Sequence, residues 1–175
     1  MPFILQEEGG YSNTPGDHGG ATNKGIIQSE YNVWRYSHGL ALQSVRQISS
    51  DEYRDIYWNQ YWLPHCPQVG TGLDLSLFNI NVNGGTGRGT RLMQQSLGIA
   101  VDGRWGPGTA AAVAAITDVR KIIAVFHDDE RAFYAAIIRH DPSQQKFSGD
   151  WYGRNDRCEK LSLSMFAQSQ NGAVA

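Results

Sequence analysis

The sequence predicts a mainly α-helical chain with one small β element near its N-terminus. Three observations predict this. Apolar residues recur at helical spacing along most of the chain, in short segments that end at Gly or Pro. A single stretch, YSNTPGDHGGATNKG from Tyr11 to Gly25, has the composition of turns and of a small hairpin. The whole chain of 175 residues is 41% hydrophobic and 18% charged, which is the composition of an ordered globular protein long enough to bury a core without staples.

The elements follow in order. Pro2 suits a first helical position, and Gly9-Gly10 ends that helix after barely two turns. After the turn-rich stretch, Ser29 is the expected cap of a short helix through Arg35. Ser49 with Glu52 three residues later reads as a capping box, opening a helix that carries Tyr53, Ile56, Tyr57 and Tyr61 inward and closes at Pro64. Thr71 or Gly72 begins a segment in which Leu73, Leu75, Leu77, Phe78, Ile80 and Val82 leave almost no polar face. That pattern predicts a central, buried helix. Gly84-Gly85-Thr86-Gly87 breaks it and marks the expected division of the chain, into residues 1–86 and 87–175 packed as one globular unit. A helix from Arg88 to Leu97 stops at Gly98. A loop, IAVDGRWGPG, leads to a short Ala-rich helix from Pro107 to Ile116. Thr117 or Asp118 caps a long helix to Arg139 bearing Ile122, Val125, Phe126, Phe133 and Ile137, and Asp141-Pro142 stops it. A last helix from Ser148 to Phe166 leaves residues 168–175 as a frayed tail.

The formal charge of −2 argues against a nucleic-acid partner. Residues 1–84 carry −4 and residues 85–175 carry +2, so the two halves are expected to do different work. No apolar run is long enough to span a membrane, and the N-terminus has no signal-peptide pattern. Five histidines lie scattered without metal-ligand spacing, so neither a metal nor a cofactor is expected. Cys66 and Cys158 fit no metal motif and read as two free thiols or as one disulfide.

One constellation carries chemistry. Glu8 ends the first helix beside Phe3, Ile4, Leu5 and Tyr11, and Asp17 follows in the Gly-rich loop. A carboxyl partly removed from water keeps its proton to higher pH, as a general acid requires. A second carboxylate that stays solvated completes the pair needed to cleave a glycosidic bond. By spacing alone the same residues read as a helix end and a turn former.

The residues Glu8-Gly9-Gly10-Tyr11, Asn13, Pro15, Asp17, Gly19-Gly20, Thr22 and Gly25-Ile26 resemble the opening of glycoside hydrolase family 108, the bacterial and phage N-acetylmuramidases. The likeness continues through Tyr57-Trp58 and Tyr61-Trp62, then through LSLFNINVNGGTG at 75–87 with Phe78, Asn79, Asn83 and Gly87 in register. Leu92, Gln94, Leu97-Gly98, Val101-Asp102-Gly103, Gly106-Pro107 and Thr109 resemble the family's peptidoglycan-binding region, and Phe147, Gly149, Trp151, Arg154 and Arg157 its closing pattern. The sequence departs from the family in having His18 for Pro and Thr14 for Asp. Only seven residues precede Glu8, about half the usual number, as an N-terminal truncation would leave.

The resemblance implies a lysozyme-like fold that hydrolyses the β-1,4 bond between N-acetylmuramic acid and N-acetylglucosamine, with bacterial lysis as the outcome. It makes Glu8 the catalytic acid. The spacing Glu8, Asp17, Thr22 is also similar to the Glu-Asp-Thr triad of phage-type lysozymes, though Thr22 lies one residue closer. On that likeness Asp17 activates a water that Thr22 holds, in an inverting reaction with carboxyls about 6.5–9.5 Å apart. Tyr11 and Trp58 are expected to line the sugar site or to pack as core. Asn79 and Asn83 either bind acetamido groups or tie down the Gly-rich loop. Trp105 is expected on a wall-binding patch. The partners implied are peptidoglycan glycan strands and an immunity or inhibitor protein, with the enzyme a monomer. It would act in the periplasm or cell wall, delivered by phage lysis, by a secretion system or after loss of a leader. The rivals are a non-catalytic wall-binding or secretion-accessory protein and a lytic transglycosylase.

Overall fold

The computed structural model describes residues 2–8, 10–12 and 21–172. Among them eight α-helices accompany one two-stranded antiparallel hairpin. The chain forms two compact units, Met1–Gln60 and Tyr61–Ala175. Within the second unit, the buried helix before Gly84–Gly87 packs with the helices after it.

In the first unit, α1 (Pro2–Glu7) buries Ile4 completely. The hairpin pairs β1 (Thr22–Asn23) with β2 (Ile26–Ile27). Lys24 (φ 52°) and Gly25 (φ 74°) form its two-residue loop, both in the left-handed region that the right-handed twist of a tight hairpin demands. Ser12 extends the element through reciprocal backbone hydrogen bonds to Thr22, both 2.8 Å. Helix α2 (Gln28–Ser37) leaves the strand directly, so the extended Ile27 occupies the cap position and Ser29 falls inside the first turn. This corrects the expected Ser29 cap. Gln28 anchors the junction instead, donating to the Gln43 carbonyl (2.9 Å) and accepting from Val45 N–H (2.7 Å). Helix α3 (Ser50–Ile56) has the expected capping box. Glu52 N–H donates to Ser49 Oγ at 3.2 Å, and Ser49 N–H donates to Glu52 Oε2 at 2.8 Å. A π-helical turn over Tyr57–Trp62 follows. Ile4, Ile26, Tyr31, Val45, Ile56 and Tyr57 make the core.

In the second unit, α4 (Leu73–Gly84) is buried on nearly every side, as its pattern predicts, and is surrounded by α5 (Thr86–Ser96), α7 (Val119–His140) and α8 (Ser148–Gly172). The short α6 (Pro107–Ala114) precedes α7, whose cap is Asp118, accepting from Lys121 N–H at 2.9 Å. The expected frayed tail is helical through Gly172, since Ala167 to Asn171 contain no Gly or Pro to stop it. Cys66 and Cys158 are both buried free thiols. No helix among the described residues is long and apolar enough to cross a membrane.

Candidate active site

Glu8 sits one residue beyond α1, and its N–H still bonds the Ile4 carbonyl at 3.0 Å. The rigid turn therefore sets where its side chain starts. Its carboxyl lies directly over Gly25 in the hairpin loop. A Cβ built on Gly25 would meet Glu8 Oε2 well inside van der Waals contact, and would lie 3.1 Å from the Tyr57 hydroxyl. Tyr57, itself 1% exposed, donates that hydroxyl to the Lys24 carbonyl and so clamps the loop from below. Glu8, Gly25 and Tyr57 thus converge on one point, held by α1, the hairpin and the end of α3.

Other expected residues of this unit lie near the same elements. Thr22 is on β1, paired with Ile27 and bridged to Ser12. Tyr11 is 40% exposed, with the Arg46 guanidinium 5.2 Å over its ring. Trp58 is half-exposed on the π-helical turn. Asp17 lies outside the described residues. Sequence reasoning treated Tyr57 as core packing and Gly25 as part of a turn. The signal for Gly25 was its place in the turn-rich stretch, directly before Ile26. Nothing local marks Tyr57 among its neighbouring aromatics.

In the second unit a polar cluster joins the helices. Burial there is complete for Glu130, His127, Asn79 and Asn155. Tyr134 donates to Glu130 Oε1 (2.7 Å) and accepts from Asn83 Nδ2 (2.9 Å). His127 Nε2 meets Ser76 Oγ at 2.9 Å, and its Nδ1 faces Asn155 Oδ1. Asn79 Oδ1 accepts from Arg154 Nε at 2.8 Å. Burial pushes the Glu130 carboxyl up to about 7 and holds the His127 imidazole below its usual range. Asn79 and Asn83 accordingly spend a polar atom each on joining α4 to α8 and α7.

Trp105 stacks flat on His65, with ring centres 4.4 Å apart and planes 6° from parallel, and its Nε1 donates to Gln68 at 2.8 Å. The loop carrying it is organised by buried Gln94 of α5. Gln94 Nε2 donates to Asp102 Oδ1 (2.7 Å), the Arg104 carbonyl (3.1 Å) and Thr109 Oγ1 (3.0 Å), and Gln94 Oε1 accepts from Gly103 N–H (2.8 Å).

Known proteins fit this arrangement. Residues 1–85 match the family model described as glycosyl hydrolase 108, and residues 88–156 match a predicted peptidoglycan domain. Among solved structures, that of Brucella abortus SagA superposes with a TM-score of 0.76 at 26% identity, covering 94% of this chain and 92% of that one. No curated protein sequence matches. The fold and the two matched segments define a glycoside hydrolase that acts on peptidoglycan. Residues 1–85 belong to the glycosyl hydrolase 108 family, and the predicted peptidoglycan domain follows them.

Proposed function

We propose that the protein is an N-acetylmuramidase that cleaves the β-1,4 bond between N-acetylmuramic acid and N-acetylglucosamine, with lysis of bacteria as the consequence. The observation that carries this reading is the Glu8 carboxyl held over bare Gly25 beside the Tyr57 hydroxyl. A general acid must meet one glycosidic oxygen in one geometry, and a carboxyl on a short turn, seated against a backbone without a side chain, is placed by its surroundings. Glu8 protonates the leaving oxygen. Asp17 activates the attacking water and Thr22 positions it, giving inversion at the anomeric carbon. Tyr11 and Trp58 offer ring faces to the sugars, and Trp105 with its His65 stack offers another to the polymer. The protein acts as a monomer in the periplasm or cell wall.

Mass spectrometry of the fragments released from purified sacculi tests this. Reducing muramic acid ends are expected. Anhydro-muramic ends would make the enzyme a lytic transglycosylase, reducing glucosamine ends a glucosaminidase, and no fragments a binding protein; each would overturn the reading.

Gly25→Ala is a second test. Its Cβ displaces the flexible Glu8 carboxyl rather than backbone, and alanine at φ 74° costs about 1–2 kcal/mol. The fold should survive, with a small loss in Tm, while fragment release falls about a hundred-fold, as expected for misplacement near 1 Å. Release at the wild-type rate would show that the carboxyl's place over Gly25 is immaterial.

A further inference from the structure

The face of the second unit formed by α5 and α7 holds a surface cavity of about 310 Å³. Leu92, Val101, Ala132, Phe133 and Ala136 give it an apolar floor, and Arg88 and Arg91 stand on its rim. Both guanidiniums are placed by packing. The Arg88 guanidinium lies over the Phe133 ring, 4.0 Å from its centre. Arg91 donates to the Gly87 carbonyl at 3.4 Å and lies against Gly103, where any Cβ would come within 2.6 Å of its central carbon.

Neither arginine forms an ion pair among the described residues. The acidic residue that also lines the cavity, Asp129, does not supply one. Its Oδ1 accepts from Gln95 Nε2 (2.7 Å) and its Oδ2 from Ser96 Oγ (2.8 Å). Burial first, and then repulsion from Arg91, hold the Arg88 guanidinium below its usual range. An anion seated between them relieves that repulsion. A planar carboxylate does so best, because each guanidinium can offer it two parallel N–H donors. The floor beneath is apolar and made partly of alanines, so it suits a carboxylate carrying a small apolar side chain and rejects a bulky or charged one.

We propose that this cavity binds the free carboxylate end of the alanine-containing peptide stem of peptidoglycan, with Arg88 and Arg91 on the carboxylate and the alanyl methyl on the floor between Phe133 and Ala136. The proposal rests on the reading that the second segment holds the polymer the first cleaves. It gives that segment a stated ligand: uncross-linked stems, which keep their terminal carboxylate, rather than the sugars. Salt weakens such binding, because the attraction is between charges at a partly exposed site.

The test uses the full chain and two probes, N-acetyl-D-alanyl-D-alanine and its C-terminal amide, titrated while the amide resonances of α5 and α7 are followed by NMR. The acid is expected to shift resonances around Arg88, Arg91 and Phe133, and the amide to shift none. Equal effects of the two, or no effect of the acid, would overturn the site without any variant having to fold. The full chain is then retained on purified sacculi in the inactive E8Q background. Adding Arg88→Gln with Arg91→Gln should cut retention about ten-fold or more, and so should stripping the stems with an amidase. Unchanged retention in either case would overturn the proposal, the second because it would place the affinity on the glycan or its lactyl carboxylates. Fragment release by the enzyme with intact Glu8 reports separately on the proposed hydrolysis, so a failed cavity and a failed muramidase reading give different results.

Discussion

Glu8→Gln should lower fragment release from sacculi by about 10²–10⁴-fold, the range that a lost general acid costs. The glutamine keeps the length and shape of the side chain over Gly25, where the carboxyl now lies, but has no proton to give the leaving oxygen. Folding should be untouched. Glu8 is partly exposed, and the turn that carries it is held by its backbone N–H on Ile4 and by the burial of Ile4. The melting curve and retention on sacculi should therefore match those of the wild type, and no choice of pH should restore cleavage. Glu8→Asp, which withdraws the carboxyl by one methylene, should fall between the two. A glutamine variant that cleaves at near the wild-type rate would remove Glu8 from the mechanism.

The second large effect is on stability and comes from Glu130. Its carboxyl is fully buried, with Tyr134 donating to one oxygen and no hydrogen-bond donor on the other. The unfolded chain ionises it near 4.5, while the folded protein keeps the proton to about 7. Between those values the folded state binds the extra proton, so this group's contribution falls as pH rises, and above pH 7 the fold carries the whole cost, about 3 kcal/mol. His127 works in the opposite sense. Burial holds it neutral, so stability falls as the pH drops below the imidazole's usual 6.5. Glu130→Gln removes only the first slope. The amide oxygen can still accept from Tyr134, so the variant should match the wild type at pH 4.5. At pH 8 it should melt roughly 5–10 °C higher. A Tm difference that is the same at both pH values would show that Glu130 does not titrate this way.

How much of this was legible in the sequence depended on the range of the signal. Ser49 with Glu52, Asp118 before its helix, the Gly84–Gly87 break and the apolar run of α4 each predicted the observed element, since caps, breaks and stripes act within a few residues. The cap of α2 was misread because Ser29 is a good cap by type, and only the strand running straight into the helix moves that role to Ile27. In α7 the reading favoured Ile122, Val125, Phe126, Phe133 and Ile137, of which Phe126 is buried. The fully buried stripe is instead Ile123, Phe126, His127, Glu130 and Tyr134. His127 stands in that stripe because its partners, Ser76 and Asn155, arrive from α4 and α8, which no window along α7 contains.

The same division runs through the candidate site. The sequence by itself determined that Glu8 ends a short helix before a Gly-rich turn, because helix stops and turn residues are local chemistry. Through six ordered motifs it also determined the family. Only the tertiary structure decided what faces the Glu8 carboxyl. Gly25 and the Tyr57 hydroxyl meet it there because the hairpin folds back onto α1 and α3 brings Tyr57 beneath the loop. Likewise, only packing set Arg88 on Phe133 and left both arginines without a carboxylate among the described residues, since that depends on Asp129 turning to Gln95 and Ser96. Side-chain direction in a site is fixed by contacts between segments distant along the chain, and a one-dimensional pattern carries no record of them.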